Sequence, residues 1–312
     1  MHARISVAVD RGDIGVRLDR VLLRHLSHVP GVSRNRLQRL IDNGQVTING
    51  HLASRASARV GPNDAIALQL PERKPRSAPA GEKLPVDVRY EDDDLLIVNK
   101  PPGMVSHPAL RNASGTLLNG LIAYADGRWT PALVNRLDKG TSGLVLVAKS
   151  KSAFRALQQL ANADGIEKEY LAIVAGKPPA KGTIDLALDR DPWDARRVTV
   201  RDRGGMPSVT KFERLRAVAV GQVGPAQHLS LVRCRLITGR THQIRVHLAA
   251  KGWPIVGDGV YGVKWNGIER QALHAWRLAF QHPSAAAAID VTAPPPPDMA
   301  ALLRLFESSE IR

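Results

Sequence analysis

A single carboxylate stands in a polar loop directly before an apolar strand. The loop is Asn135-Arg136-Leu137-Asp138-Lys139-Gly140-Thr141-Ser142-Gly143, and the strand Leu144–Ala148 behind it would fix the direction in which the loop points. A carboxylate in this setting can act as a nucleophile or as a general base. Asp and Gly are also the usual residues of ordinary turns, so the loop alone also allows a purely structural interpretation.

Two other kinds of site fit the sequence poorly. The run Gly257–Gly262 has the spacing G-x-G-x-x-G, but Lys264–Gly267 follow it where a dinucleotide site requires the start of a helix. His242 and His247 do not have the i, i+4 spacing of a helical zinc site, and we expect no metal.

Ser142 lacks the G-x-S-x-G surroundings of an esterase nucleophile. Asp138 therefore remains the best candidate for the reactive group. Arg240 and Arg245 are available as its charge partners.

The composition indicates a partner with many negative charges. The 312 residues include 44 Lys and Arg against 29 Asp and Glu, a formal charge of +15, and the excess is spread along the chain. Such a basic surface suits a polyanion. Aromatic residues are only 4% of the chain, so contacts to the shape and phosphates of a structured RNA fit better than extensive base stacking. With no signal peptide or membrane-length apolar run in the sequence, we expect a cytoplasmic protein.

The N-terminal part has the signals of two short helices, a hairpin and a last strand. Apolar residues recur at helical spacing from Leu18 to Leu26, and Ser33 suits the N-cap of a second helix that ends before Gly44. Asn49-Gly50 favours a type I′ hairpin turn, and a strand is predicted over 65–68.

This order of elements resembles the alpha-L RNA-binding motif known from a small-subunit ribosomal protein. On the second helix, Arg36 and Arg39 fall on the side away from the apolar positions, and we assign them to RNA binding. We predict an alpha-L domain over residues 1–75, a linker over 76–83 and a catalytic domain over 84–312.

The second domain mixes helix and strand signals irregularly. Strands are predicted at 95–98, 170–174 and 229–238, with one helix capped by Ser152, a second capped by Thr241 and a third near the C-terminus. This pattern predicts an α+β domain with a largely antiparallel or mixed sheet flanked by helices.

The loop around Asp138 resembles the active-site loop of the RluA family of RNA pseudouridine synthases. Further motifs of that family occur in the same order over roughly 220 residues. They are Val98–Gly103, Lys168–Ala172, Thr238–His247, Gly257-Asp258 with Tyr261-Gly262, and Gln271–Ala275. Together with the alpha-L domain, they make the chain most similar to the RluD-type branch, which acts on large-subunit ribosomal RNA.

The resemblance implies that uridine is isomerised to pseudouridine without a cofactor. The bond from N1 of uracil to the ribose breaks, the base rotates, and a bond forms through C5 after the nucleotide is flipped out of its stack. The resemblance assigns the reactive group to Asp138. The sequence leaves open whether Asp138 attacks the ribose, attacks the base or removes a ribose proton.

The resemblance also assigns roles to three other side chains. Arg245 would form a bidentate pair that stabilises the charge of Asp138 and orients it. Tyr170 would stack on the uracil and help to remove the C5 proton, although a plain core tyrosine is the alternative. Arg136 would help to displace the flipped base, and we assign Arg136 and Arg240 to substrate binding.

One position departs from the family pattern. Asn135 stands where the family usually has histidine, so loop packing and contact with the flipped nucleotide can differ.

The sequence thus predicts a monomeric enzyme that acts on structured RNA, specifically 23S ribosomal RNA or its precursor. Transfer RNA is an alternative substrate. A catalytically silent RNA-binding or ribosome-assembly protein on the same fold is a further alternative.

Overall fold

The chain divides into two compact units, Met1–Ser77 and Ala78–Arg312. The computed structural model describes residues 2–29, 32–71, 78–109, 112–194, 196–224 and 226–307. Part of the predicted linker, residues 76 and 77, lies outside the described residues. Residues 80–82 make backbone contacts to a helix of the second unit, since the Asn119 amide donates to the Ala80 carbonyl and the Glu82 N–H to the Asn119 carbonyl.

The first unit is a four-stranded antiparallel sheet with two helices. Its elements are β1 (His2–Ala8), α1 (Leu18–His25), α2 (Arg34–Asp42), β2 (Val46–Ile48), β3 (His51–Leu52) and β4 (Ala65–Pro71), and the sheet order is β1-β4-β2-β3. The Ser33 side chain accepts from the Arg36 N–H, as predicted. Asn49 and Gly50 have φ of 52° and 82°, which confirms the type I′ turn. Strand β1 is absent from the prediction.

A buried carboxylate joins the two helices of this unit. The side chain of Asp19 is fully buried and accepts hydrogen bonds from Arg17, Arg34 and Gln38. Burial opposes its ionisation, but these bonds hold the pKa of Asp19 below the ordinary value. Arg34 is therefore engaged in an ion pair within this unit, whereas Arg39 on the same helix is exposed.

The second unit is built on one mixed sheet of ten described strands. The strands of this unit are β5 (Asp87–Glu91), β6 (Leu95–Lys100), β7 (Ala132–Leu133), β8 (Ser142–Ala148), β9 (Ile166–Ala175), β10 (Lys181–Asp185), β11 (Leu188–Arg190), β12 (Val198–Val200), β13 (Val209–Val223), β14 (Ala226–Leu236), β15 (Leu273–Gln281) and β16 (Ala288–Thr292). Strands β11 and β12 form a separate two-stranded hairpin, and the other ten strands belong to the mixed sheet. The main path is β10-β13-β14-β9-β15-β8-β6-β5. β8 and β15 run parallel, and the other pairings are antiparallel.

Helices cover both faces of this sheet. They are α3 (Leu117–Ala125), α4 (Lys151–Asn162), α5 (Gln243–Ala250) and α6 (Pro297–Glu307). Strand β8 alternates between two cores: Val145 and Val147 join the core with α3, α5 and α6, whereas Leu144 and Leu146 join the core with α4. This burial on both faces explains the unbroken apolar run after the Asp138 loop. The predicted α+β class with a mixed sheet and flanking helices is confirmed.

Three predicted element ends are wrong. Helix α4 begins at Lys151 because Ser150, rather than Ser152, accepts from the Ala153 N–H. Helix α5 begins at Gln243, after His242, whose backbone is in the left-handed conformation. The Thr241 side chain accepts a hydrogen bond from Arg136 instead of capping the helix. Strand β14 ends at Leu236, because the Thr238 hydroxyl bonds to the Val209 N–H and to Gln243.

No helix in the described part of the chain is long and apolar enough to cross a membrane.

Candidate active site

The loop from Asn135 to Gly143 is held by hydrogen bonds along its length. The Ser106 hydroxyl donates to the Leu137 carbonyl and accepts from the Leu137 N–H. The Thr141 N–H closes a turn on the Asp138 carbonyl, and the Gly103 N–H donates to the Lys139 carbonyl. These bonds fix the backbone on both sides of the carboxylate.

Asn135 ties the start of this loop to strand β8. Its side-chain oxygen accepts from the Leu146 N–H at 2.7 Å, and its amide nitrogen lies 3.4 Å from the Leu144 carbonyl. The amide therefore satisfies one donor and one acceptor of the strand, and it anchors the first residue of the loop.

Gly143 lets the end of the loop approach strand β15. Its φ is +111°, and a Cβ atom there would lie 2.2 Å from the Ala275 carbonyl oxygen. Any side chain at this position would separate β8 from β15.

Arg245 bridges Asp138 and a second carboxylate. Its Nη1 donates to Asp138 Oδ2 at 3.0 Å. Its Nε and Nη2 donate to the two oxygens of Asp258 at 2.6 and 2.8 Å. The expected bidentate pair therefore forms with Asp258, and Asp138 receives a single bond from the remaining nitrogen.

Asp258 lies within the glycine run Gly257–Gly262, whose surroundings do not suit a nucleotide site. A Cβ at Gly257 would lie 2.2 Å from the Arg270 carbonyl oxygen, and one at Gly262 would lie 2.0 Å from that of Ile255, so both positions require glycine. Asp258 Oδ1 also accepts from the N–H groups of Val260 and Tyr261. Burial works against its charge, but Arg245 and these amides lower the pKa of Asp258.

Tyr170 lies in strand β9, buried, with its ring lining the same cavity as Asp138. Burial, with the negative charge of Asp138 added to it, raises the pKa of Tyr170. The phenol is therefore held in its neutral form. Its hydroxyl makes no hydrogen bond to the residues that the structure describes.

The cavity has a volume of about 480 Å³ and carries several basic groups. Arg136, Lys168, Arg240, His107 and His242 all line it together with Asp138. Its size falls within the roughly 300–1,000 Å³ of small-ligand pockets and suits one flipped nucleotide rather than a duplex.

The two arginines predicted to bind substrate differ in how they are held. Arg136 is exposed and donates from Nη2 to the Thr241 hydroxyl at 2.9 Å. Arg240 is exposed, with its Nε 3.4 Å from the Pro207 carbonyl. Of the two proposed charge partners of Asp138, Arg245 makes the contact, and Arg240 forms no ion pair with Asp138.

His242 faces Asp138 from the start of helix α5. Its Nε2 lies 3.8 Å from Asp138 Oδ2, and its Nδ1 lies 2.9 Å from the Tyr261 hydroxyl. That hydroxyl also accepts from the Val198 N–H, and the Tyr261 ring lies 5.1 Å from the Arg245 guanidinium. Burial lowers the pKa of His242, although the charge of Asp138 acts in the opposite direction.

A fully buried lysine lies beneath the loop. Lys100 Nζ donates to the carbonyls of Pro101 and Met104 and lies 3.4 Å from that of Lys139. Burial lowers the pKa of Lys100 to about 7. The amine thus joins the end of strand β6 to the loop that carries Asp138.

The structure brings together five of the seven residues predicted from sequence: Asp138, Tyr170, Arg245, Arg136 and Arg240 line one cavity. The other two, Arg36 and Arg39, lie on α2 in the first unit. Asp258 and Lys168 were given no role. The spacing of Lys168 and Tyr170 along one strand face is a signal that could have identified the lysine.

Comparisons with known proteins assign both units of the chain to families. A model of the RNA pseudouridylate synthase family matches residues 94–250, and a model of the S4 domain matches residues 16–66. An uncharacterized RNA pseudouridine synthase of Bacillus subtilis is 41% identical over 87% of this chain and 88% of its own. A ribosomal large subunit pseudouridine synthase D of Zymomonas mobilis is 35% identical over 94% of each chain.

A solved structure shares the fold. Human RNA pseudouridylate synthase domain containing 1 superimposes with a TM-score of 0.54 and 28% identity, covering 69% of this chain and 85% of its own. The chain belongs to the RNA pseudouridine synthase family, whose members are isomerases, and it carries an S4 RNA-binding domain. The predicted family, enzyme class and alpha-L domain are confirmed.

Proposed function

We propose that this chain converts specific uridines of large-subunit ribosomal RNA, the 23S RNA of bacteria, to pseudouridine, with Asp138 as the reactive carboxylate. The observation that carries the proposal is the Asp138–Arg245–Asp258 bridge at the wall of a cavity sized for one nucleotide. Relatives named ribosomal large subunit pseudouridine synthase D match over most of their length, which supports the choice of RNA.

Asp138 is placed to react because its carboxylate is only partly buried. About 26% of its side chain is accessible, whereas the side chain of Asp258 is fully buried. Both carboxylates share one guanidinium, but only Asp138 has an oxygen left to meet a substrate. Asp258 then acts by holding Arg245 in place, so that a single N–H points to Asp138.

Tyr170 is assigned to stacking on the uracil and to the proton at C5. A neutral phenol is a poor base, and the charge of Asp138 adds to the burial that keeps Tyr170 neutral. If Asp138 forms a covalent bond to the nucleotide, its negative charge disappears. The contribution of Asp138 to the raised pKa of Tyr170 is then lost, while the larger contribution of burial remains, so the phenol must first lose its own proton before it can accept the one at C5.

The basic groups around the cavity are assigned to the phosphates beside the flipped nucleotide. Arg136 and Arg240 are exposed at its edge, and Lys168 is half-buried within it. Arg36 and Arg39 on the S4 domain are assigned to phosphates elsewhere on the same RNA.

The test is release of tritium from 23S RNA labelled at uracil C5, with RNA binding measured in parallel. Asp138→Asn keeps the shape of the side chain and removes its charge, so it should abolish release and leave binding largely intact. Substantial residual turnover would exclude Asp138 as the reactive group. Binding without any release by the unsubstituted protein would favour the catalytically silent alternative.

A further inference from the structure

The hairpin of β11 and β12 exposes a tryptophan at its tip. Trp193 is 95% accessible, the most exposed of the large apolar side chains in the described chain. Tryptophan is usually well buried, because its indole loses much apolar surface to water when it is left open. An indole at the end of a hairpin therefore suggests a binding surface rather than a core residue.

The backbone that carries Trp193 is held in a defined turn. Asp191 Oδ1 accepts from the N–H groups of both Trp193 and Asp194, at 2.8 and 3.1 Å. Across the turn, the Asp191 N–H donates to the Arg197 carbonyl, and the Arg197 N–H donates to the Asp194 carbonyl. The indole is thus presented by an ordered turn, which lowers the entropy lost when it meets a partner.

The charges around the indole suit a polyanion. The hairpin from residue 188 to residue 200 contains three aspartates, and each has a partner. Asp189 accepts from the Arg190 N–H, Asp191 from two backbone N–H groups, and Asp194 from Arg196. Arg190, at the loop end of β11, is exposed and forms no ion pair with any described residue. Cations near an open aromatic ring are the combination that binds phosphates and stacks a base.

The loop end of the hairpin contacts a residue beside the proposed reactive centre. The Val198 N–H donates to the Tyr261 hydroxyl at 2.7 Å, and the Arg197 guanidinium lies 5.4 Å from the Tyr261 ring. Tyr261 in turn contacts His242 beside Asp138. Trp193 lies five positions before Val198, so at about 3.3 Å per residue its backbone lies within roughly 17 Å of the Val198 N–H that contacts the Tyr261 hydroxyl.

We infer that the β11–β12 hairpin docks the substrate RNA by stacking Trp193 on an unpaired base a few nucleotides from the target uridine, with Arg190 on a flanking phosphate. The inference rests on the proposed function, because it takes the cavity at Asp138 as the place where the target nucleotide binds. A hairpin of this kind favours RNA in which the target uridine lies in a loop or bulge, because a base within a duplex cannot stack on the indole.

The experiment compares Trp193→Ala with Trp193→Phe, using in vitro transcribed 23S RNA as the probe. Loss of one stacked base should weaken binding about 5- to 150-fold, seen as a rise in Kd and KM. The single-turnover rate at saturating RNA should stay unchanged. Trp193→Phe keeps a ring and should recover most of the affinity. Leu215→Ala, which alters another exposed apolar residue of the same unit, is the matched control and should have no effect.

A salt series separates stacking from charge. Trp193→Ala should leave the slope of log affinity against log salt unchanged. Arg190→Ala should reduce the magnitude of this slope by about 0.7 to 0.9, the contribution of one phosphate contact.

Several results would overturn the inference. One is equal affinity of Trp193→Ala and the unsubstituted protein, and another is an equal decrease in affinity for Ala and Phe. A change in sedimentation without a change in RNA affinity would assign the surface to a protein partner. Binding measured in the Asp138→Asn background tests the hairpin without turnover, so a failure here is distinguishable from a failure of the proposed reaction.

Discussion

Arg245→Met would separate two roles of one guanidinium, which are to neutralise Asp258 and to orient Asp138. The variant leaves Asp258 fully buried with its two backbone amide bonds but without either bond from Arg245. Methionine is similar in length and apolar, so the site is filled rather than opened.

The expected loss of stability follows from the stranded charge. Removing one member of a buried ion pair costs about 3–5 kcal/mol, a large part of the ~5–15 kcal/mol that stabilises a typical protein. With a urea dependence of about 2–3 kcal/mol per M, the unfolding midpoint should fall by about 1–2.5 M.

A second substitution distinguishes the two roles. In Arg245→Met with Asp258→Asn, no buried charge remains, and the amide oxygen at 258 can still accept from the backbone. Most of the stability should return. Activity should not return, because Asp138 still lacks the donor 3.0 Å away. Asp258→Asn alone is the control, since it keeps the bond from Arg245 to Asp138.

The measurements are urea unfolding followed by circular dichroism, and tritium release at a temperature at which every variant is folded. If the double variant is no more stable than Arg245→Met, the stranded charge of Asp258 is not the cause of the destabilisation. If its activity recovers, Asp138 is oriented by another group, and His242 at 3.8 Å is the nearest candidate.

Three further predictions concern other parts of the chain. Tyr170→Phe keeps the ring and removes the hydroxyl, so it should bind RNA normally and stall before loss of the C5 proton; normal tritium release would restrict Tyr170 to stacking. Arg36→Ala with Arg39→Ala should flatten the salt dependence of RNA affinity by about 0.7 to 0.9 per phosphate contact, and an unchanged slope would remove both from the RNA interface. Between pH 7 and about 10 the unfolded chain binds a proton at Lys100 that the folded chain has released, so the free energy of unfolding should rise with pH in that window. In Lys100→Met this rise should be smaller, as measured by urea unfolding at several pH values, and an unchanged rise would mean that Lys100 stays protonated when buried.

Local signals in the sequence predicted the elements that local chemistry decides. Ser33 and the Asn49-Gly50 pair act on backbone groups within three residues, so their effects can be read from the chain itself. The pairing of β1 with β4 joins residues more than fifty positions apart, and no local pattern in His2–Ala8 indicates it.

The candidate site was predictable as far as family motifs reached. They led to the prediction of Asp138, Tyr170 and Arg245, which line one cavity, but they do not indicate how the Arg245 guanidinium divides its bonds. Asp258 takes two of the three bonds. The glycine-rich loop that carries Asp258 packs closely against the backbone at Ile255 and Arg270, and such packing cannot be read from a local pattern. The sequence does not indicate that Lys100 is buried, because a lysine is normally exposed. The three backbone carbonyls around its Nζ come together only in the folded chain.

The position of β15 in the sheet sets an order for the folding of this protein. β15 lies between β8, which follows Asp138, and β9, which carries Tyr170, and Ala275 pairs with both Gly143 and Tyr170. β8 and β9 are thus two strand spacings apart, roughly 10 Å, and are held at that distance by a segment made about a hundred residues later. During synthesis, a nascent chain that ends before Leu273 contains Asp138 and Tyr170 but no segment that sets the distance between them. Because such non-local pairing is slow to form, the cavity that holds both residues should form last, after the S4 domain has already folded on the emerging chain.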